Sequence, residues 1–423
     1  MLLKNEVRIL VPGVASERFD FNLFGIQAMI YLDNAATSFP KAPGVGEAMT
    51  RFVGEQAANP GRAGHYMAVA AEKMVEDLRL KLTQLFGGED FHRLIFTLNG
   101  TDALNMGING VLRKDGSEHV VTTALEHNSV NRPLQALADM KLIELTRVDF
   151  DQGGFIDPDD IRVRIQPNTK LIVLTHASNV LGTIQDIKAV GAIAREHDVL
   201  FLLDAAQTAG LVPISIDQMK IDLLAFPGHK SLLGPTGTGG LYVGDRCPPL
   251  PNQQSSLASG DVFRAWREGG TGGDSSSPTQ PTQYPFYLEG GTPNTVGIAG
   301  LAASVDFLAS QHSANVLRSE QVMIATIINQ CDGDKRFTVY GSSDVSRHVG
   351  TVSINITGYD SADACSILDD SFAIAVRSGL HCAPYVHRRM GTFPGGALRI
   401  SPGHFNDQHD VEKVLTALDE IAG

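Results

Sequence analysis

The sequence predicts an α/β fold with a mostly parallel sheet, joined to a smaller α+β C-terminal lobe, and three observations support this. Short apolar runs alternate with helix-patterned stretches over much of the chain. One run, Val199-Leu200-Phe201-Leu202-Leu203, stops at Asp204. A carboxylate thus sits where a parallel strand ends, which is where open α/β sheets put their ligand chemistry. Another run, Ile221 to Phe226, breaks at Pro227-Gly228 and presents His229 and Lys230 ahead of Gly234, Gly237, Gly239 and Gly240.

Residues 1–28 carry Lys4, Glu6, Arg8, Glu17, Arg18 and Asp20. The apolar run Ile9 to Val14 is too short and too poorly flanked for a signal peptide. We expect an N-terminal extension here, with translation of the native protein starting at Met29. Ile30 to Thr37 opens with a strand pattern. A turn at Asn59-Pro60-Gly61 feeds a long helix ending near Gly87. Arg93 to Thr97 reads as a strand, and Thr101 is expected to cap a helix whose Leu104, Ile108, Val111 and Leu112 share a face. Strands at His119–Thr122, Leu142–Val148 and Leu171–Thr175 alternate with helices from His127, over 158–165 and near 187–196. Residues 268–293 turn to Gly, Ser, Thr and Pro, the composition of a surface loop. In a compact enzyme such a loop can also serve an active site or a subunit contact. A connecting helix over 296–308 leads to a C-terminal lobe closed by a helix with Val411, Val414, Leu415, Leu418 and Ile421 on one face. The expected division is 29–295, its first residues able to pack on the smaller lobe, and 296–423.

The chain has 423 residues, 43% of them hydrophobic, which suits a large globular core. A net charge of −13 argues against general affinity for nucleic acid or anionic membrane. The four cysteines are widely spaced with no CxxC pair, so no disulfide framework, no metal site and a reducing, cytoplasmic setting are expected. No run reaches transmembrane length.

Lys230 and Asp204 at two strand ends suggest pyridoxal phosphate (PLP), which needs a lysine for its Schiff base and an anion against its ring nitrogen. Alone, Asp204 reads equally well as a helix N-cap before Ala205 to Gly210. Gly100 and Thr101, at a helix N-terminus after a strand, offer free N–H groups to a phosphate. His127 could stack on a pyridine ring, and Asn179 and Gln207 could reach ring substituents. Arg377 and Arg399 suit a substrate carboxylate, because a guanidinium fork matches it. Cys382, in a loop near both arginines, is the cysteine suited to act as a thiolate. Cys247, Cys331 and Cys365 read as small buried hydrophobes.

DNAAT at 33–37, the NPGR turn at 59–62 with His65, EHNS at 126–129, SNVLGT at 178–183, DAAQ at 204–207, GHK at 228–230, GTPNT at 291–295 and RSGLHCAP at 377–384 occur in family order. From about Ile30 onward the chain resembles the cysteine desulfurases of the class V aminotransferases, which are fold-type I PLP enzymes. The single cysteine in RSGLHCAP resembles the group II enzymes, which include selenocysteine lyases. The resemblance implies that Lys230 holds PLP, Asp204 pairs with its ring nitrogen and His127 stacks on the ring, with a catalytic part. Gln207 and Asn179 would bind near its oxygen, and Gly100, Thr101 and His229 would hold its phosphate. Thr292 would reach the phosphate of a neighbouring subunit in a homodimer with shared sites. Arg399 and Arg377 would take the carboxylate of L-cysteine, with Asn34, Ala35 and His65 also at the substrate. Cys382 would take the sulfur as a persulfide, leaving L-alanine, and a protein acceptor for that sulfur is a further expectation. Selenocysteine lyase, another C–S lyase, or a sulfur-trafficking partner without catalysis are the alternatives. Pro227 stands where relatives carry Ser or Thr, and Leu380 where some group II enzymes carry His.

Overall fold

The computed structural model describes residues 29–61, 64–251, 261–271 and 276–423. The expectation for residues 1–28 lies outside the described residues. Strand β1 (Ile30–Tyr31) joins the smaller lobe, treated below. Seven strands form the main sheet: β2 (Leu94–Thr97), β3 (His119–Thr123), β4 (Glu144–Val148), β5 (Thr169–Thr175), β6 (Leu200–Asp204), β7 (Leu223–Pro227) and β8 (Gly239–Val243). Their order is β2-β8-β7-β6-β5-β3-β4. Only β8 runs antiparallel to its neighbours, and the other pairings are parallel.

The strands are apolar runs because both faces are covered. In β5, Ile172 and Leu174 pack into one core while Leu171 and Val173 pack into the other. The first core receives Val75, Leu78 and Leu82 of the helix Tyr66–Leu85, Ile187 and Val190 of the helix Ile187–Glu196, and Ile298 and Leu301 of the helix Thr295–Ala309. The second receives Leu104 and Ile108 of the helix Gly100–Val111 and Val130 and Leu134 of the helix Asn128–Asp139.

The smaller lobe has its own core. There β9 (Phe337–Tyr340), β10 (Val352–Ile356) and β12 (Leu398–Ile400) form an antiparallel sheet in the order β12-β10-β9. The helix Gln408–Ala422 buries Val411, Val414, Leu418 and Ile421 in this core, and Leu415 is only partly buried against it. β1 pairs in parallel with β11 (Ile374–Ala375), and Leu32 lies in the same core.

Three sequence expectations change. Thr101 does not cap its helix: Asn99 has an extended backbone and its Oδ1 accepts from the Asp102 N–H at 2.8 Å, which starts the helix at Gly100. β7 runs on through Pro227, paired with Gly239, so the chain turns one residue later than the Pro-Gly break suggests. The described part of 268–293 is not all loose surface, because Tyr287 and Leu288 are buried in the second core. Aromatic and aliphatic residues within the Gly/Ser-rich composition account for that burial.

Candidate active site

Asp204 ends β6 and is 3% exposed. Its Oδ1 accepts from the Ala206 N–H at 2.9 Å, so one oxygen does the local turn-holding of the N-cap reading. No helix follows, however, and no hydrogen bond to the second oxygen occurs among the described residues. Next to it, β7 delivers the turn Gly228-His229-Lys230. The Gly228 N–H bonds the Thr238 carbonyl at 2.8 Å, and a Cβ at Gly228 would lie 2.2 Å from Thr238 Oγ1, so the turn needs glycine. The Leu233 N–H closes back on the Lys230 carbonyl at 2.7 Å. Lys230 Nζ has no hydrogen bond or ion pair among the described residues.

These groups line a cavity of about 220 Å³ shared with Ala35, Gly100, Thr101, His127, Ser129, Asn179, Gln207, Pro227, His229, His381, Arg377 and Arg399. Its sides are tied together. Gln207 Nε2 donates to the Ala35 carbonyl at 3.1 Å. Asn179 Nδ2 donates to the His381 carbonyl at 2.7 Å. Arg377 and Arg399 face each other across an isolated antiparallel bridge. Arg399 is 1% exposed, donates from Nη1 to the Asn179 carbonyl at 3.1 Å and pairs through Nη2 with Asp33.

His127 caps its helix through Nδ1, which accepts from the Ser129 N–H at 3.0 Å. A ring nitrogen that accepts is unprotonated, so the ring proton sits on Nε2. Burial, then the charges of Lys230, Arg377 and Arg132, push His127 down to about 3, so it is neutral. Burial pulls Lys230 down to about 8 against the attraction of Asp204. Burial raises Asp204, against the Ala206 N–H and the charge of Lys230. An amine that loses its proton near neutrality can act as a base or nucleophile.

Four expected site residues lie outside this cavity. Asn34 lines a neighbouring cavity that also reaches Lys230, and its side chain is bonded to the Ser401 carbonyl and Asn406. His65 is exposed and caps the helix Tyr66–Leu85 by accepting from the Ala68 N–H. Thr292 lines a separate cavity of about 130 Å³ with Leu98, Arg267 and Glu289. Cys382 sits beside the main cavity, whose lining includes His381 but not Cys382. Its φ of +57° follows a φ of +47° at His381, two consecutive non-glycine residues in left-handed backbone. The Asn179 side chain and the Asn128 N–H, at 2.7 Å from the Cys382 carbonyl, hold this turn.

A sequence profile of the family described as Aminotransferase class-V matches residues 30–414. The chain belongs to the class V aminotransferase family. Within that family it is 32% identical to a probable cysteine desulfurase of Methanothermobacter thermautotrophicus, over 93% of this chain and 95% of the relative. It is 28% identical to a cysteine desulfurase of Escherichia coli O157:H7, over 93% of each. The apo structure of cysteine desulfurase from Thermococcus onnurineus NA1 matches with a TM-score of 0.82 at 31% identity, covering 93% of this chain and 94% of that one.

Three further residues at the site do not stand out in the sequence. Ser129 Oγ lies 2.8 Å from His127 Nδ1 and 2.7 Å from Thr101 Oγ1, and so links two cavity walls. Ser129 follows the N-cap His127 by two residues, within reach of its ring, and that spacing was the signal. Glu126 is fully buried behind the cavity, and Asp33 fixes Arg399. Both lay within recognised stretches, but their contacts depend on partners far away in sequence.

Proposed function

We propose that this chain is a PLP-dependent cysteine desulfurase that converts L-cysteine to L-alanine and receives the sulfur on Cys382. The observation that carries the proposal is a lysine without a protein partner and a buried carboxylate at the ends of adjacent strands in one cavity. The donor set fits PLP. Asp204 keeps one oxygen free for a ring N–H. The first N–H groups of the helix at Gly100 have no intrahelical acceptor and suit a phosphate, with the Thr101 hydroxyl and His229 beside them. Pro227 brings no hydroxyl to that wall, so the helix start and Thr101 carry more of the binding.

Bound there, PLP supplies an aldehyde for amines and a protonated ring that stores the electron pair released at the substrate α-carbon. Asp204 would accept the hydrogen bond of the ring N–H and so keep the proton on the ring. Lys230, as a free amine, takes the α-proton and returns it. Arg399, its fork fixed by Asp33, and Arg377 hold the substrate carboxylate, with Asn179 close by. His127 keeps its Nε2–H toward the reacting atoms. The Cys382 thiolate attacks the substrate sulfur, the C–S bond breaks, and the carbon keeps the electron pair and gains a proton. Cysteine and the Cys382 thiol thus give alanine and a Cys382 persulfide, with no outside oxidant. Because Cys382 stands outside the cavity lining, its turn must move toward the substrate.

A homodimer with shared sites belongs to the same reading. Tyr66 is 81% exposed, with Val53, Met67, Val69, Leu98 and Trp266 also exposed, and Thr292 lines a cavity separate from that of Lys230 in its own chain. Apolar surface of this kind supports contact with a second copy. We take 29–295 as the cofactor-binding lobe and 296–423 as the smaller lobe, a reading supported by the separate core around Ile354. All four cysteines are free, which supports a reducing, cytoplasmic setting, and no described helix is long and apolar enough to cross a membrane.

The test is to feed L-cysteine or L-selenocysteine to the PLP-loaded protein and measure alanine, alongside Cys382→Ala. Alanine from cysteine that disappears in the variant is expected. Turnover of selenocysteine alone, unaffected by the substitution, would overturn the proposal.

A further inference from the structure

Two segments meet at Cys382, and both bring arginines to the surface. Asn128 begins the helix Asn128–Asp139 and donates to the Cys382 carbonyl, so the exposed Arg132 stands one turn beyond that contact. The helix Pro384–Met390 starts two residues after Cys382 and carries Tyr385 and the exposed Arg388. Arg147 of β4 lies over the Tyr385 ring, 4.5 Å from its centre. Arg388 lies 5.5 Å from the same ring and 5.0 Å from that of Phe393, which is 45% exposed. Arg389 is paired with Asp149. Arg132, Arg147, Arg377 and Arg388 have no ion pair among the described residues, and Asp139 acts on Arg147 only at longer range.

A guanidinium stacked on an aromatic ring uses its face and keeps N–H groups along its edge, which match a carboxylate. The exposed Arg388 offers that edge, whereas Arg147 has its Nη2 buried and its Nε on Asn131 Oδ1 at 3.4 Å, so it supplies charge and holds the Tyr385 ring. On a chain of net charge −13, unpaired arginines around one cysteine reverse the local field. A long polyanion laid here would also meet the surrounding negative charge. A short acidic segment would meet mainly the arginines, since Asp149 is paired with Arg389 and Asp139 lies at the far end of its helix. Cys382, half-buried and outside the cavity lining, lies on the same side.

We propose that this arginine–aromatic surface docks a short acidic segment of a protein whose thiol collects the sulfur from Cys382. This rests on the reading of Cys382 as the sulfur carrier. In the transfer the partner's thiolate attacks the outer sulfur of the Cys382 persulfide. The old S–S bond breaks, a new one forms on the partner, and Cys382 leaves as a thiolate, so no external oxidant or reductant enters.

Two peptides of equal length test the proposal, each with one cysteine, one rich in Asp and Glu and the other with Lys at those places. With the PLP-loaded enzyme and L-cysteine, persulfide on each peptide is read by mass spectrometry. The acidic peptide should accept sulfur about ten-fold faster at low salt, and lose that advantage as salt shortens the screening length. Arg132→Glu and Arg388→Glu should each abolish the preference while alanine formation with dithiothreitol as acceptor is unchanged. Equal rates for both peptides, or a faster Lys peptide, would overturn the docking proposal, as would a thiol-bearing oligonucleotide that outpaces both. Fluorescence anisotropy with the acidic peptide, its cysteine replaced by serine, needs no turnover. Arginine-dependent binding supports the surface even if no alanine forms, in which case the sulfur-carrier reading alone fails. Absence of binding at low salt would overturn the surface itself.

Discussion

Ser129 shows how much one hydroxyl can organise. It joins Thr101 Oγ1 on one cavity wall to His127 Nδ1 on another, at 2.7 and 2.8 Å. Ser129→Ala deletes that link and keeps the backbone N–H on Nδ1, so the His127 tautomer should survive while the position of Thr101 loosens. Two hydrogen bonds at about 1 kcal/mol each suggest up to roughly thirty-fold weaker PLP retention. Fluorescence titration of the apoprotein measures this, and an unchanged dissociation constant would remove Ser129 from the cofactor site. Glu126 gives a test by pH. Its Oε1 accepts from Thr123 Oγ1 at 2.7 Å and the Thr175 N–H at 3.1 Å, while its buried Oε2 has no partner. Burial, with Asp204 adding to it, raises its carboxyl from an ordinary 4.5 to about 8. The folded protein therefore keeps a proton that the unfolded chain has lost, and stability falls as pH rises from about 4.5 to about 8. Glu126→Gln keeps the accepting oxygen and cannot ionise. Its melting temperature should gain on wild type by roughly a few degrees between pH 5.5 and 8.5. A constant difference would mean that Glu126 is ionised throughout. Glu320, raised to about 8 by burial, keeps part of the slope in both proteins.

Among the elements, strands that end in chemistry were legible and loops that reach across the fold were not. β6 and β7 could be read because strands buried on both faces are near-continuous apolar runs, so the Asp204 that stops one and the Pro227-Gly228 that stops the other stand out. The Gly228–Lys230 turn was legible for the same reason. The capping of the helix Gly100–Val111 by Asn99 in place of Thr101 was not, because adjacent Asn and Thr both cap well and only the backbone angle decides. The composition of residues 268–293 reads as surface, yet Glu289 anchors the segment. Glu289 takes both Nη atoms of the buried Arg79, at 2.7 and 3.1 Å, and also the Phe96 N–H at 2.7 Å. One carboxylate thus joins the helix Tyr66–Leu85, β2 and the loop that carries Thr292. Glu289→Ala would leave Glu76, 3.2 Å from Nε, as the remaining ion-pair partner of the buried Arg79 guanidinium, and should cost about 3 kcal/mol, seen as a fall in the urea midpoint. Arg79→Met combined with Glu289→Leu should recover much of that loss, since a well-packed apolar pair replaces buried charge at little cost. If the double variant is no better than the single, the Phe96 N–H left without an acceptor carries the penalty instead of the charge.

For the whole molecule, the question is whether one chain makes a complete site. Lys230, Asp204, Gly100 and Thr101 share a cavity, while Thr292 lines another, open beside exposed Leu98 and Arg267. Motif order could not reveal this separation, because two residues that serve one ligand from different chains look the same in sequence as two from one chain. If Thr292 completes the phosphate site of a second copy, defects on different chains should complement. Lys230→Ala removes the amine that the proposed function assigns to the reaction. Thr292→Asp sets a negative charge where the phosphate of the other copy would bind, and should abolish retention there. Each homodimer should be inactive. A mixed dimer has one site with both defects and one with neither, the sound site combining Lys230 from the Thr292→Asp chain with Thr292 from the Lys230→Ala chain. Random mixing makes half of the dimers mixed, so about a quarter of wild-type alanine formation should return after co-refolding or co-expression. If Thr292 serves its own chain, the mixed dimer instead has one dead site from each defect, and no activity returns however long the chains are allowed to exchange.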